Sequence, residues 1–332
     1  MTRVVIIGGG PGGYEAALVA RQLGAEVTII ERQGVGGSAV LTDVVPSKAL
    51  IAVAEAAIDT RSAGMIGVNT SEVTVDLASV NKRLNKWAST QSTDIHQRLT
   101  SEGISVVAGM GSLVSPTTVM SRDVQGNEQT FDADVILLST GARPRVMDTA
   151  LPDGERILTW EQLYSMEELP EKLIVVGSGV TGAEFAGAYQ ALGSQVVLVS
   201  SRDRVLPGED GDAANVIEKV FGERGMQVIS KSRADSVTRT ETGVAVTLSD
   251  GTVLEGSHCL LAVGSLPNTE HLGLAAAGVD TDERGYITVD GVSRTNVRGI
   301  YAAGDCTGIL LLASVAAMQG RIAMWHALGD AV

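Results

Sequence analysis

One unit is written twice in this chain, and it constrains the fold more than anything else in the sequence. In the first copy Val4-Val5-Ile6-Ile7 is uncharged and β-branched throughout, the pattern of a strand buried on both faces. It breaks into Gly8-Gly9-Gly10-Pro11-Gly12-Gly13, and Tyr14 to Leu23 then reads as helix. Gly24 ends that helix, Val27-Thr28-Ile29-Ile30 is a second strand, and Glu31 and Arg32 stand at its tip. Gly8, Gly10 and Gly13 have the G-x-G-x-x-G spacing, which serves a tight turn, close backbone approach to a diphosphate, and close helix–strand packing. Free amides and the positive end of the helix dipole face the phosphates. Glu31 is placed to accept hydrogen bonds from a ribose diol. The unit is a dinucleotide site.

About 170 residues further on the pattern recurs. Leu173-Ile174-Val175-Val176 is a strand, Gly177-Ser178-Gly179-Val180-Thr181-Gly182 repeats the glycine spacing, Ala183 to Tyr189 opens a helix, and Val196-Val197-Leu198-Val199 follows. A repeat of the whole unit is far more specific than a single motif and predicts two dinucleotide sites. The copies differ where the ribose is read. Ser200 stands in place of Glu31, followed by Ser201, Arg202 and Arg204, which removes repulsion toward a 2′-phosphate and adds groups that can bind one. This predicts acceptance of NADPH, with NADH the alternative.

The rest of the chain suits α/β layers. At 332 residues it has room for two cores, with 44% apolar residues and only 3% aromatics. A net charge of −14 argues against nucleic acid or an anionic membrane surface as partner. The longest apolar run, Ile309 to Met318, is too short to span a bilayer, so no stable membrane insertion is expected. A buried strand starting within three residues leaves no room for a signal peptide, and two cysteines without C-x-x-C spacing fit a reducing cytoplasm. Helices are predicted over 47–58 and 76–99, the latter with Leu77, Val80, Leu84, Trp87, Ile95 and Leu99 on one apolar face. A meander is expected around the polar turn 123–128. A buried strand ends in Thr140-Gly141, its counterpart ends in Gly264, and a terminal strand ends in Gly304-Asp305-Cys306 before a helix opening at Leu312-Ala313.

Two such units followed by the segment Thr295 to Asp305 resemble the pyridine nucleotide-disulfide oxidoreductases, most closely dihydrolipoamide dehydrogenase and glutathione reductase. The resemblance covers essentially the whole chain. It implies two Rossmann-like three-layer domains of the FAD/NAD(P)-binding fold, with FAD at the first site and NADPH or NADH at the second. The FAD-binding domain would be discontinuous, 1–148 and 268–332, with the NAD(P)H-binding domain at 149–267 inserted. Residues implied at the FAD are Gly8, Gly10, Pro11, Gly13, Glu31, Arg32, Gly37, Ser38, Lys48, Gly111, Thr140, Gly141, Gly304, Asp305, Leu312 and Ala313. At the nucleotide they are Gly177, Gly179, Val180, Thr181, Glu184, Ser200, Ser201, Arg202 and Gly264. Lys48 and Glu184 match the family's catalytic ion pair, a lysine beside the flavin and a glutamate under the nicotinamide, and no metal is implied.

The pattern breaks at the redox disulfide. Where the family carries two cysteines ahead of Pro46-Ser47-Lys48, this chain has Ala39 and Val44, so no thiolate forms there and dithiol–disulfide exchange by that route is excluded. The replacement is most like the NAD(P)H quinone dehydrogenase branch of the family. Hydride would pass from NAD(P)H to FAD and then directly to a quinone-type acceptor. The alternative is a dihydrolipoyl dehydrogenase-like protein that has lost disulfide chemistry and serves as a low-turnover flavin-binding or regulatory domain. Nothing matches the family's C-terminal dimerisation domain; a homodimer is expected if one exists.

Overall fold

In a computed structural model residues 1–330 are described, and they form two compact units. The first comprises 1–45, 87–143 and 266–330; the second comprises 46–86 and 144–265. Each is built around a five-stranded parallel sheet, and neither sheet contains a strand from the other unit.

In the first unit the sheet order is Ile300–Ala302, Val135–Leu138, Arg3–Ile7, Glu26–Glu31, Ser105–Ala108. The register pairs Ile7 with both Ile30 and Leu138, and Leu138 with Ala302. The strands therefore end level, and the loops following Ile7, Glu31, Leu138 and Ala302 leave from one edge. That carboxyl edge is where open α/β sheets bind ligands. Val4, Ile6, Ile29, Ile136 and Leu137 are all at most 1% exposed, as expected of strands covered on both faces. The helices Pro11–Gln22 and Ala313–Ala327 pack on one face. On the other side lies a meander of Met110–Ser115, Thr118–Arg122 and Glu128–Asp132, where the polar turn predicted it.

The second unit repeats the plan. Its sheet runs Gln227–Ile229, Gln195–Val199, Lys172–Val176, His258–Leu261, Ile157–Thr159, again level at the carboxyl ends through the pairs Val176–Val199 and Val176–Leu261. A second meander, Ala234–Arg239, Val244–Leu248 and Val253–Gly256, accompanies it.

The division differs from the sequence expectation over 46–86, a stretch assigned there to the first domain. Leu50, Ala54, Leu77 and Leu84 are buried in one cluster with Leu158, Tyr164, Phe185 and Leu198 of the second sheet and its helices. Buried Asn81 adds two bonds from Nδ2, to the carbonyls of Leu163 (3.2 Å) and Met166 (2.8 Å). The helices Val44–Ser62 and Leu77–Ser101 thus each run across a unit boundary. Trp87 departs from its predicted apolar face: it is 42% exposed while Leu77, Leu84 and Leu99 are buried. Among the described residues Gly37–Ile66 alone is long and apolar enough to cross a membrane by length and composition, although it carries Asp43, Lys48, Glu55, Asp59 and Arg61.

Candidate active site

The two glycine loops are the same object built twice. The first glycine of each has a left-handed backbone, φ 102° at Gly8 and 109° at Gly177, and a Cβ would lie 2.2 Å from a carbonyl oxygen of the neighbouring strand loop (Ser139 or Ala262). At the third, Gly13 or Gly182, a Cβ would lie 1.9 Å from the carbonyl oxygen of the first. Only glycine fits either position. The middle glycine differs in kind: above Gly10 and Gly179 a Cβ would meet nothing within 4 Å, so internal packing does not explain its missing side chain. Open space there, over a helix N-terminus with no side-chain cap and no acid in its first turn, is what close approach of a diphosphate requires. The cradles fit the two dinucleotides implied by the sequence.

Around the first cradle, Glu31 accepts from the Gly9 amide through Oε2 (2.6 Å) and from the Gln33 amide through Oε1 (2.7 Å), so its carboxylate is fixed by backbone rather than by a cation. Arg32 beside it is exposed. Gly36 donates to the Gly9 carbonyl (2.8 Å), and a Cβ on Gly37 would lie 2.9 Å from the Gly10 Cα; this seats Gly37 and Ser38, which open the short helix Gly37–Leu41, against the loop. The Thr140-Gly141 turn is clamped by Asn268, whose amide nitrogen donates to the Gly141 carbonyl and whose Nδ2 donates to the Thr140 carbonyl, both at 3.0 Å. Gly304 donates to Gln319 Oε1 (2.8 Å), and Asp305 opens a single turn of 3-10 helix. Burial, and then the charge of Asp43, push the Asp305 carboxyl up to about 6. Leu312 caps the helix Ala313–Ala327 without a side-chain bond, leaving its first amides unclaimed by a cap. Gly111 is buried against Ile7 and Ile30, a packing reason sufficient for glycine.

At the second cradle Val180 and Thr181 begin the helix Val180–Leu192, Val180 being 52% exposed. Gly264 has φ 102° with open space around it. Ser201 and Arg202 are exposed, whereas Ser200 is fully buried. On the same helix, Glu184 takes both of its carboxylate oxygens to Lys48 Nζ, at 2.7 and 2.8 Å. This is the contact that the resemblance implied, between residues 136 positions apart. Their setting is wetter than a buried pair: the side chains are 54% and 31% exposed.

No thiol is placed for disulfide chemistry. Ala39 lies in Gly37–Leu41 and Val44 opens the next helix. Cys259 and Cys306 are free and 0% exposed, on different units. Burial raises both thiols, Cys306 to about 11, so neither forms a thiolate at neutral pH. Sequence reasoning missed Asn268, Asp43 and Ser178. The last was detectable by laying one copy of the unit on the other, since Ser178 occupies the place of Gly9.

A dinucleotide cradle on each of two parallel sheets, with a lysine–glutamate pair at the helix of the second, is the arrangement of a flavin and pyridine-nucleotide oxidoreductase. The chain belongs to the pyridine nucleotide-disulphide oxidoreductase family, whose profile matches residues 2–320, and as a member it uses FAD and NAD(P)H. It is 52% identical to the NAD(P)H dehydrogenase (quinone) of Mycobacterium tuberculosis, over all of this chain and 70% of that protein. The dihydrolipoyl dehydrogenase of Chlorobaculum tepidum is 37% identical over 97% of this chain and 69% of its own length. Among solved structures, LpdA from Mycobacterium tuberculosis superposes with a TM-score of 0.96 at 51% identity, over 100% of this chain and 73% of that one. The HOCl-induced flavoprotein disulfide reductase RclA from Escherichia coli gives 0.87 at 25% identity, over 99% and 72%.

Proposed function

We propose that this protein is an NAD(P)H dehydrogenase that reduces a quinone-type acceptor directly. The observation that carries the reading is the contrast at the site: both cradles and the Lys48–Glu184 pair are intact, while Ala39 and Val44 stand where the family has its dithiol. Quinones need no thiol nucleophile, and the relative that is 52% identical is named for that acceptor.

The first cradle, with Glu31, Gly37, Ser38, Thr140, Gly141, Asp305 and the N-terminus of Ala313–Ala327, holds FAD; the second, with Glu184 and the turn after Val199, holds NAD(P)H. The chemistry that FAD would supply when bound is two-electron transfer, from NAD(P)H to the acceptor. The balance is NAD(P)H, one proton and quinone giving NAD(P)+ and hydroquinone. Lys48 holds the Glu184 carboxylate in place beside the second cradle, where it orients the nicotinamide carboxamide. The free N-terminus of Ala313–Ala327 favours negative charge at its end. Two reduced, buried cysteines suit a reducing compartment, and a cytoplasmic location is part of the reading.

Steady-state assays with a soluble benzoquinone and with lipoamide test it. Turnover with quinone and none with lipoamide is expected. Comparable rates with both would overturn the acceptor, and negligible turnover with either, in flavin-loaded protein, would favour the low-turnover binding role.

A further inference from the structure

We propose that Arg61 is a positioning residue for the Lys48–Glu184 pair: by binding the carbonyl end of the helix Val180–Leu192, it fixes where the helix Val44–Ser62 lies along that helix and so holds Lys48 on Glu184. The inference rests on the part given above to the pair in the reaction with NAD(P)H.

The carbonyl end of Val180–Leu192 can be accounted for group by group. The last four carbonyls of a helix have no partner inside it. Gly193, at φ 125°, turns the chain so that its amide reaches back to the carbonyls of Tyr189 and Gln190, both at 3.1 Å, and the Ser194 amide also reaches Tyr189, at 3.0 Å. That leaves the carbonyls of Ala191 and Leu192. Arg61 takes both: Nη1 donates to the Ala191 carbonyl, and Nη2 donates to the Leu192 carbonyl at 3.2 Å. Two nitrogens of one planar fork thus meet the two carbonyls that the turn leaves over, at the end of the helix where the dipole favours a cation.

The same two helices meet again at Lys48 and Glu184. Lys48 and Arg61 are about 20 Å apart along their helix, and Glu184 and Leu192 are about 12 Å apart along theirs. The helices run in the same sense and are tied at two places. Between the ties the contact is apolar: Leu50 and Ala54 of one helix share a buried cluster with Phe185, Ala188 and Leu192 of the other. Apolar contact is not directional, and it sets the spacing of two helices more firmly than their register. The ion pair does not set the register either, because Lys48 is 54% exposed and its long flexible side chain follows a partner that moves. Arg61 does set it, since its fork has to meet two carbonyls at once. Its side chain is otherwise exposed, so truncating it opens no cavity in the core. Without it the helix Val44–Ser62 can slide, and Lys48 no longer holds the Glu184 carboxylate in one place beside the second cradle.

The test joins anaerobic stopped-flow reduction of the flavin-loaded protein by saturating NADPH to acetylation footprinting of Lys48, read by mass spectrometry. R61M should slow flavin reduction about tenfold at unchanged flavin content, less than the roughly hundredfold that a displacement of about 1 Å can cost. In a K48M background it should slow reduction no further, because Arg61 acts through Lys48. Footprinting needs no turnover: in R61M the acetylation of Lys48 should rise to its level in E184Q, while that of exposed Lys86, on the helix Leu77–Ser101, stays at the wild-type level. R61K keeps the cation and loses the fork; it should show the same changes to a smaller degree, and it carries the comparison if R61M folds poorly. Effects of R61M and K48M that multiply in the double variant, or a wild-type reduction rate in folded R61M, would overturn the proposal and leave Arg61 a helix cap. A wild-type reduction rate in K48M would instead sink the reading of the pair on which the proposal rests.

Discussion

At the scale of single residues, glycines with the same spacing have separable jobs. Gly13→Ala would force a Cβ to 1.9 Å from the Gly8 carbonyl, so it should destabilise the fold by about 1–3 kcal/mol and lose flavin with it. Gly10→Ala meets open space, so the folded chain should melt near the wild-type temperature yet bind FAD weakly. Parallel melting curves and flavin titrations distinguish the two, and a Gly10→Ala protein with normal flavin affinity would remove the argument for diphosphate approach at that loop. Asp305 makes a pH prediction. Its carboxyl ionises near 6 in the fold and near 3.8 in the unfolded chain, so between these values the folded state binds more protons and stability falls as pH rises. Asp305→Asn should therefore be more stable than wild type at pH 7–8, by at most about 3 kcal/mol. That gain should disappear below about pH 4, where both forms of the site are neutral. A stability difference independent of pH would show that burial of the charge is not its cause.

At the scale of elements, two contacts place the helices that flank the cradles. The helices Pro11–Gln22 and Ala313–Ala327 touch backbone to backbone: a Cβ on Gly320 would lie 2.1 Å from the Gly12 carbonyl oxygen, and Arg321 reaches Glu15 at 2.8 Å nearby. Gly320→Ala should push these helices apart, lower the melting temperature, and weaken flavin binding, because Gly12 is itself part of the first glycine loop. The Lys48–Glu184 pair joins helices Val44–Ser62 and Val180–Leu192, but its exposure limits its worth to stability to about 1 kcal/mol or less. Glu184→Gln should thus leave thermal stability nearly unchanged. It should slow anaerobic bleaching of the flavin by NAD(P)H tenfold or more, with reoxidation by quinone affected less. Equal slowing of both half-reactions would make the pair a structural bridge.

At the scale of the whole molecule, the chain has one kind of redox centre to offer. Its two thiols lie on separate units, both fully buried, and neither is activated. Anaerobic titration with NADPH should consume two electrons per FAD, where a disulfide reductase takes four, and no long-wavelength thiolate–flavin charge-transfer band should form. Uptake of four electrons would bring a cysteine back into the chemistry.

The two cradles were legible in the residues alone, because G-x-G-x-x-G geometry is local: the first and third glycines answer to each other within six residues, and the strands and helix on either side follow from their own periodicity. So was the loss of the dithiol, since Ala39 and Val44 have no sulfur in any fold. The Lys48–Glu184 pair was legible only through the resemblance, because nothing local links residues 136 positions apart. Where 46–86 belongs emerges only from packing, since an apolar helix face does not name the core that will cover it. Packing also turns Ser200 inward to Ser178 rather than outward to a ribose. That choice depends on which of two adjacent side chains fills one small space behind the loop, and such competition exists only once the strand tip and the loop have been brought together.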